Sequence, residues 1–328
     1  MKSTANMQSI TIDVHLTTQD PQAIREEIRD GLLSTPRRLP TKYFYDDRGS
    51  QLFERICELP EYYQTRTEHK LLQAVADDVV ALTGADELVE LGSGAATKTR
   101  VLLDAMARAQ QLRFYVPFDV SEGIVRRVAQ ELVKEYEGLQ IHGVVGDFLA
   151  HLEHIPDGGK RLVVILGGTI GNLGPDTGPA FLSSVFEEMA SGDFFLLGVQ
   201  LLTDIDRLET AYNDSEGVTA EFNKNILHVL KSVIGADFNP ETFEHVARFN
   251  DEERRIEMHL RSTQQQSIPI PKLNLTLTLD KDEEILTEIS AKFTRQQVEE
   301  LLSHAGFVMT EWYTDPAHLH GLALVRKP

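Results

Sequence analysis

A chain of 328 residues with 41% hydrophobic content can bury a sizeable core, or two domains around a shared cleft, and is not a disordered composition. Its 32 Lys and Arg against 51 Asp and Glu leave a net charge of −19, which disfavours broad contact with nucleic-acid phosphates or anionic lipid and favours a small cationic or zwitterionic partner. The lone Cys57 excludes an internal disulfide, no Cys or His spacing indicates a metal, and neither a signal-peptide core nor the roughly 20 apolar residues of a membrane helix is present, so the expectation is a cytoplasmic monomer without metal.

Taken in chain order, the first feature is aromatic: Tyr43, Phe44, Tyr45, Phe53, Tyr62 and Tyr63 crowd into one segment before residue 68. From about residue 86, short apolar runs predict strands at ELVEL (87–91), RFYVPFD (113–119), IHGVVGDF (141–148), RLVVILG (161–167) and DFFLLGVQLL (193–202). Between them, TKTRVLLDAMARAQ, EGIVRRVAQELVKEY and PAFLSSVFEEMA carry apolar residues at i, i+3 and i+4. This alternation predicts an α/β fold with a doubly wound, mostly parallel sheet.

The character changes after residue 202. Residues 204–238 read as helical, and two runs then alternate, with Ile256, Met258 and Leu260 on one face of RRIEMHLRS and Leu273, Leu275, Leu277 and Leu279 on one face of KLNLTLTLD. Antiparallel strands buried on one side are expected there, forming a second lobe. In ILTEISAKF (285–293), plain alternation puts Glu288 and Ser290 on one face and Ile285, Ile289 and Ala291 on the other. Thr294 and Gln297 make a capping box for a helix to about Ser303, and FVMTEWYTD and LALVRK close the chain as strands.

Chemistry concentrates at predicted strand ends. In VELGSGAATKTR (89–100), Gly92 and Gly94 let the backbone approach a ligand at a helix N-terminus, but Thr97 replaces the third glycine of the dinucleotide fingerprint, which counts against an NAD enzyme. Asp119 ends the next strand and suits the two hydroxyls of a ribose. Asp147 could accept from an exocyclic adenine amine, with the Phe148 N–H reaching a ring nitrogen. One strand-end acid is ordinarily a cap or turn former; two in register with a glycine turn point to a nucleoside pocket.

The order E-L-G-S-G, strand-end Asp, G-D-F resembles the class I S-adenosylmethionine-dependent methyltransferases, a Rossmann-like fold whose last strand enters the sheet antiparallel. KYFYD (42–46), LPEYYQTRTE (59–68), VELGSG (89–94), LGGTIGNL (166–173), AYNDSEGVTAEFN (211–223), RRIEMHL (254–260) and LTEIS (286–290) further resemble the bacterial L-histidine Nα-methyltransferase family of ergothioneine biosynthesis, over about residue 20 to the end. Gly167-Gly168 stands where that family's pattern has Gly-Ser.

The resemblance implies an S-adenosylmethionine domain at 68–202 and 292–328, and an α+β substrate-binding domain at 15–67 and 203–291. It implies cofactor contacts from Tyr45, Gly92, Lys98, Asp119, Asp147 and Phe148, and substrate contacts from Phe53, Tyr62, Asn172, Tyr212, Thr219, Met258, Glu288 and Ser290. L-histidine and its mono- and dimethyl forms are the implied substrates, trimethylated to hercynine by in-line attack of the α-amine, with Tyr45 and Asn172 in catalytic roles. On this reading Asn172 holds carboxylate and amine through both halves of its amide, Tyr212 donates to the carboxylate, and Glu288 with Ser290 satisfies the two ring nitrogens. The alternative is an N-methyltransferase of another amino acid or amine, such as tryptophan.

Overall fold

The computed structural model describes residues 9–16 and 21–328. Residues 1–8, part of the stretch read as lacking a signal-peptide core, and 17–20, within the expected substrate-binding segment, lie outside the described residues. The N-terminal part contains β1 (Ile10–Val14), α1 (Pro21–Leu33), β2 (Arg37–Arg38), α2 (Asp47–Glu58) and α3 (Gln64–Thr83). The alternating region follows as β3 (Glu87–Leu91), α4 (Thr99–Arg108), β4 (Phe114–Asp119), α5 (Glu122–Glu135), β5 (Gln140–Val145), β6 (Arg161–Ile165), α6 (Thr177–Glu188) and β7 (Phe194–Gln200). Then come α7 (Ile205–Ala211), α8 (Val218–Ile234), β8 (Phe243–Asn250), β9 (Arg255–Ser262), β10 (Gln266–Ile270), β11 (Leu275–Leu279), β12 (Glu284–Ala291), α9 (Arg295–His304), β13 (Val308–Thr314) and β14 (His320–Arg326).

Among the described residues, the larger sheet has the order β1-β5-β4-β3-β6-β7-β14-β13. Strands β1 to β7 in it pair in parallel, and β14 lies antiparallel to both β7 and β13. The fold is thus the expected mostly parallel α/β sheet with an antiparallel last strand. Its central strands β3, β6 and β7 are buried along their whole length, because helices cover both faces: α3, α4 and α5 on one side, α6 and α9 on the other. Strand β1, which no pattern in the sequence singled out, extends the edge by pairing with β5. The strand order reverses at β3, between β4 and β6, which opens a crevice at the carboxyl ends.

A second sheet, β2-β12-β9-β8, buries Ile256, Met258, Leu260, Phe243 and Ile285 against a core that includes Ile28, Leu52, Phe222 and Ile226. Here alternation fails at one point. Leu286 pairs with His259 and Glu288 with Met258, so Thr287 is an extra residue, a β-bulge. Ile285, expected opposite Glu288, therefore lies on the same inner face as Glu288 and Ser290, across from Leu260, Met258 and Ile256 respectively.

The sheets meet where β12 leaves its own sheet. The Phe293 N–H donates to the Gln200 carbonyl (2.9 Å) and the Leu202 N–H to the Phe293 carbonyl (3.0 Å), tying the exit of β12 to the carboxyl end of β7. The turn 169–172 packs against the same exit so closely that a Cβ on Gly171 would come 2.8 Å from the Ala291 carbonyl oxygen. Helix α9 begins with the expected capping box between Thr294 and Gln297.

Candidate active site

The glycine turn after β3 is closed by the N–H groups of Gly92 and Ser93, which both donate to the Phe118 carbonyl (2.8 and 3.1 Å). Gly92 adopts φ +78, and a Cβ there would face the Phe148 ring at 3.8 Å; beyond Gly94 no atom lies within 4 Å. Asp119 accepts from the Gly94 N–H at Oδ2 and the Ser121 N–H at Oδ1, each 2.9 Å, and each oxygen keeps a lone pair for a ligand. Burial pushes its carboxyl up against those two bonds. Asp147 Oδ1 takes the Leu149 N–H (2.9 Å), and the Phe148 ring packs on Phe181 at 5.4 Å. Gly92, Asp119, Asp147 and Phe148 are therefore brought together at the carboxyl ends of β3, β4 and β5, where sequence reasoning expected them.

Lys98 is neither solvated nor free. It pairs with Glu68, which is fully buried and also accepts from the Gly167 N–H (2.8 Å) and His320 Nε2 (3.0 Å). Burial alone would raise the Glu68 carboxyl, but Lys98 and His320 hold it well below the usual carboxylate range. Sequence reasoning gave no site role to Glu68, although it closes the motif LPEYYQTRTE, or to His320. They fix Lys98 beside the loop at Gly167, where a Cβ would stand 3.3 Å from Nζ.

On the other side of the cleft, an arc of rings runs from Tyr45 to Phe53 (5.8 Å), Tyr62 (6.2 Å) and Tyr212 (6.1 Å), backed by Phe222, 5.8 Å from Tyr45. Tyr45 keeps 43% of its surface accessible, yet burial, followed by the Glu288 carboxylate, pushes its hydroxyl well above the ordinary range.

Asn172 Nδ2 donates to Glu288 Oε1 (3.1 Å) and to the Ile289 carbonyl (2.7 Å). Both amide hydrogens are spent on β12, so only Oδ1 remains for a ligand. The expectation that Asn172 supplies a donor as well as an acceptor is corrected accordingly. Met258 lies opposite Glu288 across β9 and β12 and is buried. Thr219 is buried at the start of α8, where its N–H donates to Asp214 (2.7 Å).

The second residue of the reading pair sits in a polar knot. Ser290 Oγ accepts from Tyr212 Oη (2.8 Å) and from Lys292 Nζ (2.7 Å); Lys292 also donates to Tyr212 Oη (3.0 Å) and to Gln200 Oε1. Lys292 is 2% exposed. Burial draws its ammonium down to about 7 and pushes Glu288 up to about 7, each shift opposed by the other's charge. The sequence signal for Lys292 was its place two residues after Ser290, the spacing that joined Ser290 to Glu288. Among the described residues, no cluster of His, Cys, Asp or Glu could hold a metal, and no helix is long and apolar enough to cross a membrane.

Residues 24–327 match the family model described as histidine-specific methyltransferase, SAM-dependent. The histidine N-alpha-methyltransferase of Mycolicibacterium smegmatis is 48% identical over 92% of this chain and 94% of its own length. That of Mycobacterium tuberculosis is 47% identical over 93% and 95%. Ergothioneine biosynthesis protein 1 of Neurospora crassa is 30% identical, covering 98% of this chain and 36% of the larger fungal protein. With a family model matched over most of its length and mycobacterial relatives of 47% and 48% identity, the chain is a member of the histidine-specific, S-adenosylmethionine-dependent methyltransferase family.

Proposed function

We propose that the protein trimethylates the α-amino nitrogen of L-histidine, by way of the mono- and dimethyl forms, to give hercynine, the first step of ergothioneine biosynthesis. The observation that carries this reading is the bond between Asn172 and Glu288, which joins the cofactor sheet to the strand expected to read the ring. In this reading residues 68–202 and 292–328 bind the cofactor, and residues 15–67 and 203–291 bind histidine. The enzyme acts on free small molecules as a cytoplasmic monomer, with no nucleic-acid or lipid partner, a setting its acidic surface suits.

Bound S-adenosylmethionine supplies an electrophilic methyl on a sulfonium. Gly92, Asp119, Asp147 and Phe148 hold its adenosine, and Lys98, fixed by Glu68, together with Tyr45 holds its methionine end. Glu288 Oε2, which has no protein partner among the described residues, accepts the imidazole N–H, while Ser290 answers the other ring nitrogen. Tyr62, Phe53, Thr219 and Met258 wall the ring, while the Tyr212 hydrogen expected for the carboxylate is spent on Ser290, so Tyr212 supports the pocket from behind that hydroxyl. Asn172 Oδ1 accepts from the amine and directs its lone pair along the line of attack. Positioning of this kind is the main catalytic contribution a methyl transfer needs. The amine must first shed a proton. Tyr45, kept as a neutral phenol by its raised hydroxyl, relays that proton to water instead of serving as an anionic base. The faces of Tyr45, Phe53 and Phe222 then shelter the growing methylammonium, which has ever fewer N–H groups to donate.

Mass spectrometry of histidine incubated with enzyme and S-adenosylmethionine tests the proposal. Products one, two and three methyl groups heavier are expected, and their absence overturns it.

A further inference from the structure

Lys292 is a buried amine that the chemistry above leaves unused, and its charged form is the one that meets its neighbours as a pure donor. Its ammonium has three hydrogens and three oxygen neighbours: Gln200 Oε1, Tyr212 Oη at 3.0 Å and Ser290 Oγ at 2.7 Å. All three donors are spent on protein, so Lys292 does not touch a ligand directly. Gln200 Oε1 can only accept, which leaves the other two N–H groups to the two hydroxyls. Tyr212 Oη has one hydrogen and two acceptors in reach, Ser290 Oγ at 2.8 Å and Gln200 Oε1 at 3.3 Å; the shorter contact gives Ser290 Oγ its second hydrogen. A hydroxyl has two acceptor sites and one hydrogen. With both acceptor sites filled from the protein side, Ser290 has only its own hydrogen left to offer the cleft.

We infer that Lys292 is a positioning residue that fixes the polarity of Ser290, making it an obligatory donor, so that the site selects a ring with one N–H and one bare acceptor nitrogen. This rests on the proposed reading of Glu288 and Ser290 as the ring-binding pair and deepens it. Glu288 demands a donor from the ligand and Ser290 demands an acceptor. A neutral imidazole meets both demands. A pyrrole ring meets only the first and strands the Ser290 hydrogen, whereas an indole adds bulk to the same deficiency. Lys292 acts from behind: without its ammonium, the Ser290 hydrogen can turn to the oxygens of Tyr212 or Gln200, and the demand for an acceptor lapses.

The test compares kcat/KM for histidine and for 3-(pyrrol-2-yl)alanine, which keeps the N–H and lacks the acceptor, with S-adenosylhomocysteine affinity as the control for folding. The wild-type enzyme should favour histidine by about tenfold or more, the effect of one stranded buried donor. In Lys292→Met that preference should collapse, chiefly through a higher KM for histidine, while S-adenosylhomocysteine binds as before. Lys292→Arg, still donor-only, should retain it, and Lys292→Gln, which offers Ser290 an acceptor, should lose it and serves if the methionine variant does not fold. A role confined to packing lowers both substrates alike and leaves the ratio intact, which overturns the inference. Ser290→Ala separates the two levels. If the preference vanishes in Ser290→Ala but survives in Lys292→Met and Lys292→Gln, only the role of Lys292 fails. If it survives in Ser290→Ala, the ring reading itself fails.

Discussion

Glu288 offers the sharpest test of the substrate reading, because the geometry makes two substitutions behave alike that chemistry alone would separate. Above about pH 7, where Glu288 is ionised, replacing it by Ala deletes a charged acceptor for the imidazole N–H, worth about 1.5–3 kcal/mol, or roughly 10- to 150-fold in kcat/KM. Replacement by Gln would ordinarily be gentler, since an amide oxygen still accepts. Here, however, Glu288 Oε1 already receives the Asn172 Nδ2 hydrogen at 3.1 Å, and the other Asn172 hydrogen is held by the Ile289 carbonyl at 2.7 Å. The glutamine must turn its oxygen to Asn172 and its NH2 to the cleft, where it meets the imidazole N–H donor to donor. Glu288→Gln is therefore expected to lose as much as Glu288→Ala. Since the ring is remote from the reacting nitrogen, the loss should appear mainly in KM. Steady-state kinetics with histidine, alongside calorimetric titration with S-adenosylhomocysteine, measures both. A Glu288→Gln enzyme within about threefold of wild type would refute the reasoning.

Three further outcomes follow from the buried charges and the loop after β6. Glu68→Gln breaks a buried pair from one side and should cost about 3 kcal/mol in urea unfolding, with weaker S-adenosylhomocysteine binding. Because the folded Glu68 carboxyl lies below its ordinary 4.5, its stabilising contribution is complete above about pH 4.5 and is lost as pH falls further, so the variant should also lose that acid limb. Glu90, 4% exposed and bonded by Tyr115 (2.5 Å) and Thr99, behaves oppositely: burial raises its carboxyl from 4.5 to about 7. A raised group stabilises fully below about pH 4.5 and loses that contribution as pH rises through about 7, on the order of 3 kcal/mol, and Glu90→Gln should flatten the stability profile in that window. Gly168 adopts φ +70, and a Cβ there would stand 2.8 Å from Gln200 Cγ. Gly168→Ala should strain the turn by about 1 kcal/mol and displace the Gln200 that holds Lys292, raising KM for histidine more than it changes S-adenosylhomocysteine affinity.

The parallel strands, their helices and the glycine turn were legible because each is written locally: a run of apolar residues, a period near 3.6, a glycine where φ must be positive. Asp119 and Asp147 followed because a strand end in a parallel sheet has a known place relative to the crevice. Residues that act through a neighbour far along the chain left no such mark. Glu68 looks like any acid near the start of a helix until Lys98, Gly167 and His320, up to 252 positions away, converge on it. The same holds for Asn172, whose side-chain composition suggested two roles while its partners on β12 leave it one.

Alternation also misplaced Ile285, and the reason bears on function. On an unbroken strand, positions 285 and 288 fall on opposite faces, so a buried Ile285 would force Glu288 to the outer side. That side carries Glu257, His259 and Glu284 in a network with Arg248, Arg255 and Arg261. The extra residue at Thr287, held by Asn223 Oδ1 (2.7 Å) and the Met258 carbonyl (3.0 Å), resets the phase in the middle of the strand. Ile285 can then seal the core while Glu288 and Ser290 lie on the same inner face, and Lys292, at the strand exit, supports Ser290 from behind. The bulge that defeats the simple pattern is thus what allows one short strand both to pack the second sheet and to carry Glu288 and Ser290 on its inner face.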